Sequence, residues 1–509
     1  MNKFIRIPLL LIFCCFAGNV MAQQRFTLPD SATMRNEWLK AVDRATQDLA
    51  LTYNHSSMAS ILVDRADAEA RLKRYSKAID DYNKAIFFDP NLKMIYSRRA
   101  HVYEAMGNNR AAIGEYEKAL ASSKGDKVNQ AMIWNYIAGN EFLLGNYAKA
   151  AKADSAAIVA APQFSMAYAN KGWANMHIGK LQQAVDDFTA SMKGFQSSPQ
   201  ELAAIYRNRG DAYRLLEKYT EAIADYNSGL QYLPDFPDCY WGLATCYGLT
   251  GQYLLAENNF ARSANLFKGN NDHELSRLYV DWGGMEDLRR DYAKKIVNDS
   301  LAVVYDAKNL DARTALAHGY ELNGQMQQSI DRYGDLVKFY QDDKKALTDI
   351  YGAISELEYF LGHYDKSVAA SSTGIAVNPK AMLPYLVRGR AYLKKSNNDM
   401  AIADFNRILT LDTTKKSPAY AFALFFTGKQ DQALSIIQAA FKNADNNGMR
   451  LYLCYHLARM YALMNRPDEA NSYLKKSIDG GYSKKYVQID PDFENIRNTQ
   501  DFKDMTSDK

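Results

Sequence analysis

This 509-residue chain has few prolines and a small net charge, and both properties exclude certain kinds of protein. It has only 12 prolines, too few for Pro-rich linkers or for many β-turns, so long helices are favoured. Its formal net charge is +4, which is too small to indicate binding to a nucleic acid or an anionic membrane. Charged residues are 24% and hydrophobic residues 47%, a balance typical of a folded, soluble protein.

Long apolar runs are missing except near the N-terminus. Lys3 and Arg6 precede a short apolar segment, Leu9 to Ala17, and Val20-Met21-Ala22 supplies the small residues that signal peptidases read. The segment is too short to span a bilayer permanently, and no later stretch approaches 18 apolar residues. The sequence therefore predicts a signal peptide over residues 1–22, cleaved near Gln23, and a periplasmic or secreted chain without a membrane span. A retained anchor is the alternative.

Cysteine is scarce as well. After the predicted cleavage only Cys239, Cys246 and Cys454 remain, and an odd number cannot pair completely. If Cys239 and Cys246 share one helix, they lie about 10 Å apart, which is too far for a disulfide. We therefore expect three buried free thiols.

A recurrence of about 34 residues dominates the sequence. The stretch 206–213 is followed by Ala222-x3-Tyr226 and then Pro234, and the stretch 385–392 is followed by Ala401-x3-Phe405. Both resemble the tetratricopeptide repeat, a helix-turn-helix unit with the pattern W-x2-L-G-x2-Y…A-x3-F…P. The resemblance implies an all-α fold, an α-solenoid in the form of a right-handed superhelix of about twelve repeats with helical caps.

Twelve copies align on the residue that opens the second helix of each repeat, which we call the anchor. The anchors are Ala78, Ala112, Ala150, Ala184, Ala222, Ala256, Lys295, Ser329, Ser367, Ala401, Ala433 and Ala470. Twelve positions before each anchor every residue is Ala, Gly or Ser, and seven positions after it only Leu336 and Ile408 are large. Small side chains are required where backbones approach closely, because extra methylenes in a packed core cost about 1–3 kcal/mol.

This alignment divides the chain into a signal peptide (1–22), an N-terminal capping helix or half repeat (23–58), the array (59–484) and a C-terminal capping segment (485–509). The last resembles the short helical tail that closes many bacterial arrays of this family. The repeats span approximately residues 59–92, 93–126, 131–164, 165–198, 203–236, 237–270, 276–309, 310–343, 348–381, 382–415, 414–447 and 451–484.

The anchor spacing alternates between 34 and 38 or 39 residues as far as Ala401. The longer junctions carry helix-start signals instead of a Pro loop, such as Asp126 and the Ser198–Glu201 capping box with Pro199. Four residues make about one helical turn, so we expect an extra turn at the start of the first helix in odd-numbered repeats.

Motifs that carry catalysis or bind a cofactor are missing. The sequence has no P-loop, no G-x-G-x-x-G after a strand, no G-x-S-x-G and no H-E-x-x-H. Its seven histidines never fall at metal-ligand spacing. We therefore expect no catalytic residue, no metal site and no cofactor.

The resemblance points instead to the concave surface, which in this family is lined by the first helices and holds an extended or helical peptide. The groove-facing positions of the third to sixth repeats carry Met132, Asn135, Phe142, Met166, Asn170, Trp173, Met176, Arg207, Asn208, Asp211, Arg214 and Trp241. This set predicts exposed aromatic and Met side chains beside a basic, amide-rich stretch, and such residue types are enriched in interface cores. The alternative is that Trp173 and Trp241 pack against neighbouring helices.

The predicted function is that of a non-catalytic scaffold or adaptor in the bacterial cell envelope, which binds an unknown envelope protein or peptide and no nucleic acid. The Lys–Asn spacing of the family's chaperone-tail clamp is missing, so recognition of a C-terminal carboxylate by that device is not expected. Two alternatives stay open: a carbohydrate-binding protein of the envelope, and a regulatory subunit of an envelope enzyme complex.

Overall fold

The computed structural model describes residues 32–92, 94–193, 198–269, 271–444 and 446–507, so the predicted signal peptide lies outside the described residues. Within these ranges the chain forms 27 α-helices and one 3₁₀ turn, Pro491–Phe493, and no strand. The all-α class predicted from the sequence is therefore confirmed. The helices are α1 Ala32–Leu51, α2 His55–Arg71, α3 Tyr75–Phe88, α4 Ile95–Ala105, α5 Asn109–Ser122, α6 Lys127–Leu143, α7 Tyr147–Ala160, α8 Ser165–His177, α9 Leu181–Ser191, α10 Pro199–Leu215, α11 Tyr219–Tyr232, α12 Pro237–Leu249, α13 Tyr253–Phe267, α14 Asp272–Arg289, α15 Tyr292–Tyr305, α16 Leu310–Leu322, α17 Met326–Leu336, α18 Lys344–Phe360, α19 Tyr364–Val377, α20 Met382–Lys394, α21 Asn398–Leu411, α22 Pro418–Phe426, α23 Gln430–Lys442, α24 Asn447–Leu463, α25 Pro467–Asp479, α26 Lys484–Ile489 and α27 Gln500–Thr506.

The described helices belong to two compact units, residues 32–246 and residues 247–507. In each unit neighbouring helices pack in consecutive pairs; α2 packs on α3 in the N-terminal unit, and α24 packs on α25 in the C-terminal unit. Within each unit a hairpin also packs on the next one, as α3 does on α4 and α15 on α16, which is the arrangement of an α-solenoid. None of the described helices is both long enough and apolar enough to cross a membrane.

The lengths of the first helices alternate as the anchor spacing predicts. In repeats one, three, five and nine the first helix (α2, α6, α10, α18) has 17 residues, and in repeat seven α14 has 18. In repeat two α4 has 11, and α8, α12, α16 and α20 have 13. The predicted capping box is present at the start of α10, where Ser198 and Glu201 bond reciprocally next to Pro199. The extra turn in odd-numbered repeats is thus confirmed through repeat nine.

The small residues that define the repeat lie where the helices touch. All twelve anchors and all twelve residues twelve positions before them are buried, and seven positions after the anchor only Ala440 is half-buried. Lys295, the one large anchor, is buried as well, and its ammonium lies 2.9 Å from the Asp299 carboxylate. Burial of these positions agrees with the close helix packing that the repeat pattern requires.

Three glycines show why the first of these positions must be small. An added Cβ would lie within 3 Å of a ring carried by the second helix of the same repeat: Gly172 faces Phe188, Gly210 faces Tyr226 and Gly389 faces Phe405. Each ring comes four residues after its anchor and is fully buried. The missing side chain therefore makes the space that the ring of the second helix fills.

Cys239, Cys246 and Cys454 are buried, and none of them forms a disulfide among the described residues, as the sequence predicts. Burial raises the pKa of the Cys246 thiol to about 12 and also raises that of Cys239. A thiol with a raised pKa is a poor nucleophile, so these side chains act as packing residues.

We expect Gly389→Ala to lower the free energy of unfolding of the C-terminal unit by about 1–2 kcal/mol. The added Cβ would lie 2.6 Å from Cε1 of the buried Phe405 ring, and overpacking of about 1–3 kcal/mol exceeds the helix-propensity gain of about 1 kcal/mol. Gly284→Ala in α14 is the matched control, because nothing lies within 4 Å of its added Cβ. Urea unfolding followed by circular dichroism should place the midpoint below wild type for Gly389→Ala and at or above it for Gly284→Ala; equal midpoints would contradict the packing described.

Candidate partner-binding face

In the N-terminal unit the first helices of successive repeats contact one another. Helix α2 contacts α4, and α8 contacts both α6 and α10. We call the side on which these helices meet the first-helix face. It carries the residues that the sequence predicts for partner binding, so their contacts decide what this face can do.

Amide side chains join the third and fourth repeats on the first-helix face. Asn170 on α8 donates from Nδ2 to Oδ1 of the buried Asn135 on α6 over 2.8 Å. Asn135 in turn donates to the Met166 sulfur over 3.8 Å. Because these amides bond to each other, they fix the spacing of α6 and α8. Met132, one turn before Asn135, stays 38% exposed and presents an apolar side chain.

Four rings form an aromatic cluster beside these amides: Phe142 on α6, Tyr147 at the start of α7, and Trp173 and His177 on α8. The His177 ring stacks on Tyr147 with centroids 4.4 Å apart, and Phe142 meets it edge-on at 5.0 Å. Trp173 lies 6.2 Å from His177. All four are half-buried, so part of each ring faces solvent. Burial lowers the pKa of His177, which keeps the imidazole neutral at pH 7 and the cluster uncharged.

Trp173 and Met176 have a second role. Both pack against the buried core between α9 and α10, and the Trp173 ring meets Phe188 edge-on at 6.4 Å. The sequence left open whether Trp173 is exposed in the groove or packs against neighbouring helices, and the structure shows both. One part of its ring is interior and the other belongs to the aromatic cluster.

The basic, amide-rich stretch that the sequence places at groove-facing positions of the fifth repeat is interior, which corrects the expectation that these residues line an open groove. Arg207 is buried and lies 2.9 Å from an Asp238 oxygen, which the sixth repeat supplies. It also donates to Oδ1 of Asn208 over 3.1 Å. The physical reason is charge compensation, since a buried cation requires a bonded anion.

Asp211 is the second anion of this interior group. It is buried, accepts a hydrogen bond from the Tyr226 hydroxyl over 2.7 Å, and lies 3.4 Å from Arg207 and 3.6 Å from Arg214. Its carboxylate thus faces two guanidinium groups of α10. These charged side chains hold the hairpins together and leave little net charge for a partner.

Trp241 is also interior, with 5% of its surface exposed, so the expectation of an exposed aromatic residue is wrong here. Helix α12 is apolar on nearly every side, and a helix that is hydrophobic all round is buried. Its neighbours on the helix, Cys239, Leu243, Ala244 and Cys246, are buried too. For the other predicted residues the partner-binding role stays a prediction.

A recurring ion pair escaped the sequence analysis. A basic residue thirteen positions before the anchor pairs with an acidic residue three positions after it: Arg65 with Asp81, Arg99 with Glu115, Lys171 with Asp187, Arg209 with Asp225, and Arg388 with Asp404. A second recurring contact joins the buried tyrosine four positions after the anchor to the first helix, in the pairs Tyr82–Asp67, Tyr116–His101, Tyr226–Asp211 and Tyr333–Glu321. The sequence pattern that predicts the basic–acidic pair is a basic residue followed 16 positions later by an acidic residue in successive repeats.

In the C-terminal unit the corresponding face is covered by the chain itself. The Ser483 hydroxyl donates to the Leu322 carbonyl over 2.7 Å, and the Tyr486 ring lies 4.8 Å edge-on from Phe360. Arg290 donates to the carbonyls of Ile478 and Asp479, which lie 188 and 189 residues later in the chain. The sequence predicts residues 485–509 as a cap; in the structure residues 483–507 also extend back over first helices of earlier repeats.

Comparison with known proteins agrees with this geometry. Residues 210–251 match a family model described as TPR repeat, and residues 97–165 and 384–415 match models described as tetratricopeptide repeat. The DnaJ protein P58IPK homolog of Arabidopsis thaliana is 28% identical over 197 residues, which are 36% of this chain and 40% of that protein. The Hsp70-Hsp90 organizing protein of Triticum aestivum is 22% identical over 246 residues, or 48% of this chain and 41% of that protein. The chain thus spans about two-fifths of the length of these two relatives.

Among solved structures, the C-terminal part of a TPR repeat-containing protein from Cytophaga hutchinsonii is 18% identical, with a TM-score of 0.39; the match covers 49% of this chain and 98% of that one. The APC/C hetero-tetramer Cut9-Hcn1 is 14% identical, with a TM-score of 0.35 and a match over 90% of this chain and 94% of that one. Proteins built from such repeats generally mediate protein–protein interaction.

We expect Asp211→Asn to lower the free energy of unfolding of the N-terminal unit by about 3 kcal/mol, because removing one member of a buried ion pair costs about 3–5 kcal/mol. Arg207 keeps Asp238, which limits the loss. Asp186→Asn is the matched control, because that carboxylate is exposed and accepts a hydrogen bond from Gln182 of the same helix, so a change within about 0.5 kcal/mol is expected. Urea unfolding of both variants tests this, and equal midpoints would show that Asp211 does not neutralise the two arginines.

Proposed function

Because the chain is a tetratricopeptide-repeat protein, we propose that it is a non-catalytic scaffold of the bacterial cell envelope, which binds a partner protein or peptide on the first-helix face of its N-terminal unit. The partner contributes an apolar or aromatic side chain to the aromatic cluster of Phe142, Tyr147, Trp173 and His177.

The aromatic cluster is the observation that carries this proposal. Its rings contact one another at 4.4–6.2 Å, so each is held in place before a partner arrives. Preformed aromatic surface lowers the ordering cost of association, and offset or edge-on ring contacts add to simple area burial. Met132 lies ten residues before Phe142 on the same helix and adds an exposed apolar side chain to α6. Aromatic and Met side chains are the types that interface cores favour.

Two further observations support the N-terminal unit as the binding unit. In the C-terminal unit the first-helix face is covered by the chain's own last residues, whereas the aromatic cluster keeps half-buried rings. The basic residues of the fifth repeat are neutralised by Asp211 and Asp238. Recognition at the aromatic cluster is therefore mainly apolar, and a weak dependence on salt is expected.

The envelope location rests on the sequence of residues 1–22, with its basic start, short apolar core and small residues at the cleavage position. The three cysteines are compatible with an oxidising compartment, because all three thiols are buried away from oxidants. One relative of this chain is named for organizing Hsp70 and Hsp90, which supports the scaffold class and leaves the partner open.

Crosslinking in intact cells tests the binding face. A photoreactive amino acid at position 132 should give a protein adduct, identified by mass spectrometry, and the same probe at position 87 should not, because exposed Phe87 lies on the second helix α3. The double variant Phe142→Ala/Trp173→Ala should lose most of the adduct at position 132. An adduct of unchanged intensity in the folded double variant, or equal adducts at both positions, would contradict the proposed face.

Export makes a separate prediction. The mature protein isolated from the envelope fraction should begin near Gln23, because the signal peptidase cleaves after Val20-Met21-Ala22. N-terminal sequencing measures this directly, and Ala22→Arg, which places a large cation at the cleavage position, should leave the precursor uncleaved. Wild-type protein that starts at Met1 would refute cleavage at this site.

A further inference from the structure

Four charged side chains meet inside the C-terminal unit. Asp490 and Asp492, both buried, lie between Arg390 on α20 and Arg459 on α24. The Asp492 carboxylate lies 2.8 Å from each guanidinium group, and Asp490 lies 3.4 Å from Arg459 and 3.8 Å from Arg390. Each aspartate therefore contacts both arginines, so the segment around residue 491 is held from two repeats at once.

The two arginines occupy equivalent positions on the first-helix face. Each comes eleven residues before its anchor, which is the position of Trp173 and Asp211 in the N-terminal unit. Arg390 lies 4.3 Å above the Tyr359 ring, and Arg459 lies 4.9 Å above that of Phe422. The aspartates thus bind on the first-helix face and contact side chains of repeats ten and twelve, while the two arginines lie against rings of repeats nine and eleven.

An aromatic residue completes the segment. Phe493 is fully buried, with its centroid 5.7 Å from that of Tyr455, and the Tyr455 hydroxyl donates to Asp490. The backbone at Asp490 is extended (φ −61°, ψ 117°), and the Asp490 carboxylate also accepts from the Asp492 N–H over 3.0 Å. The Asp-Pro-Asp-Phe sequence is thus in contact with two guanidinium groups and with the Tyr455 ring.

The segment resembles a bound ligand because its order depends on its contacts with the repeats. Its helices α26 and α27 have six and seven residues, and isolated helices of that length are not stable in water, so their order depends on docking. Without Asp490 and Asp492, Arg390 and Arg459 would lie among aromatic rings with no anion from this segment, a strongly unfavourable arrangement. An empty face would be cationic and lined by aromatic rings.

We propose that the first-helix face of repeats nine to twelve is a recognition site for acidic–aromatic segments of the type Asp-x-Asp-Phe, occupied in cis by residues 490–493 as an exchangeable ligand. The segment opens and recloses while the repeats stay folded, and an acidic–aromatic peptide supplied in trans takes its place. This site and the aromatic cluster of the N-terminal unit consist of different residues. The proposal made here therefore does not depend on the proposed function.

Peptide binding to the full-length chain tests the proposal. In the variant Asp490→Asn/Asp492→Asn the cis segment is weakened, while Arg390 and Arg459 remain. A fluorescent peptide of residues 482–507 should bind this variant at least tenfold more tightly than it binds the wild-type chain, as measured by fluorescence anisotropy. A control peptide carrying Asn in place of both aspartates should bind at least tenfold more weakly. Equal binding of the two peptides by the folded variant would overturn the proposal.

Hydrogen exchange of the wild-type chain tests the same proposal without any substitution. The amides of residues 484–506 should exchange at least tenfold faster than those of α24, through an opening that leaves α24 protected. Excess unlabelled peptide of residues 482–507 should hold the segment open and raise its exchange further. Exchange of the segment and α24 at one common rate would show that residues 484–506 are an inseparable part of the core, and would overturn the proposal even if the variant failed to fold.

Discussion

The close approach of two helices at small residues is the constraint on which the whole array depends. Gly389 in α20 leaves room for the Phe405 ring of α21, and the same contact recurs at Gly172 and Gly210. Once these backbones touch, the side chains around them have fixed partners, and the basic–acidic pair 16 residues apart can form within one hairpin. Trp173 of the aromatic cluster and Arg390, which binds Asp492, each follow directly after one of these glycines, so this local contact positions both side chains.

The same position on the first helix serves different purposes along the chain. Eleven residues before the anchor, Trp173 forms part of an aromatic surface, Asp211 neutralises two arginines, and Arg390 binds the carboxylates of the chain's own last residues. The backbone places all three side chains on one face, and their chemistry decides whether that face is open, interior or occupied. A fold of this kind therefore fixes where recognition can happen and leaves the choice of ligand to single residues.

The fold could be predicted because its pattern of small residues lies within single repeats. The site could be predicted only in part, because its side chains pair with residues of other repeats. Small residues at fixed intervals and helix-start signals such as Ser198 and Glu201 are read within one repeat, so the helices and their alternating lengths follow from the sequence. Whether Arg207 is exposed depends on Asp238 in the next repeat, which a single-repeat pattern does not contain. The docking of Asp492 on Arg390, about a hundred residues earlier, lies further still beyond any periodic signal.

Open solenoids unravel hairpin by hairpin, because each repeat touches only its neighbours. The bonds from Arg290 to the carbonyls of Ile478 and Asp479 connect early and late hairpins of the C-terminal unit directly. A pulling force on this unit must therefore break these hydrogen bonds before the hairpins between them can separate from one end. We therefore expect the hairpins between Arg290 and Asp479 to separate together under tension and not one at a time.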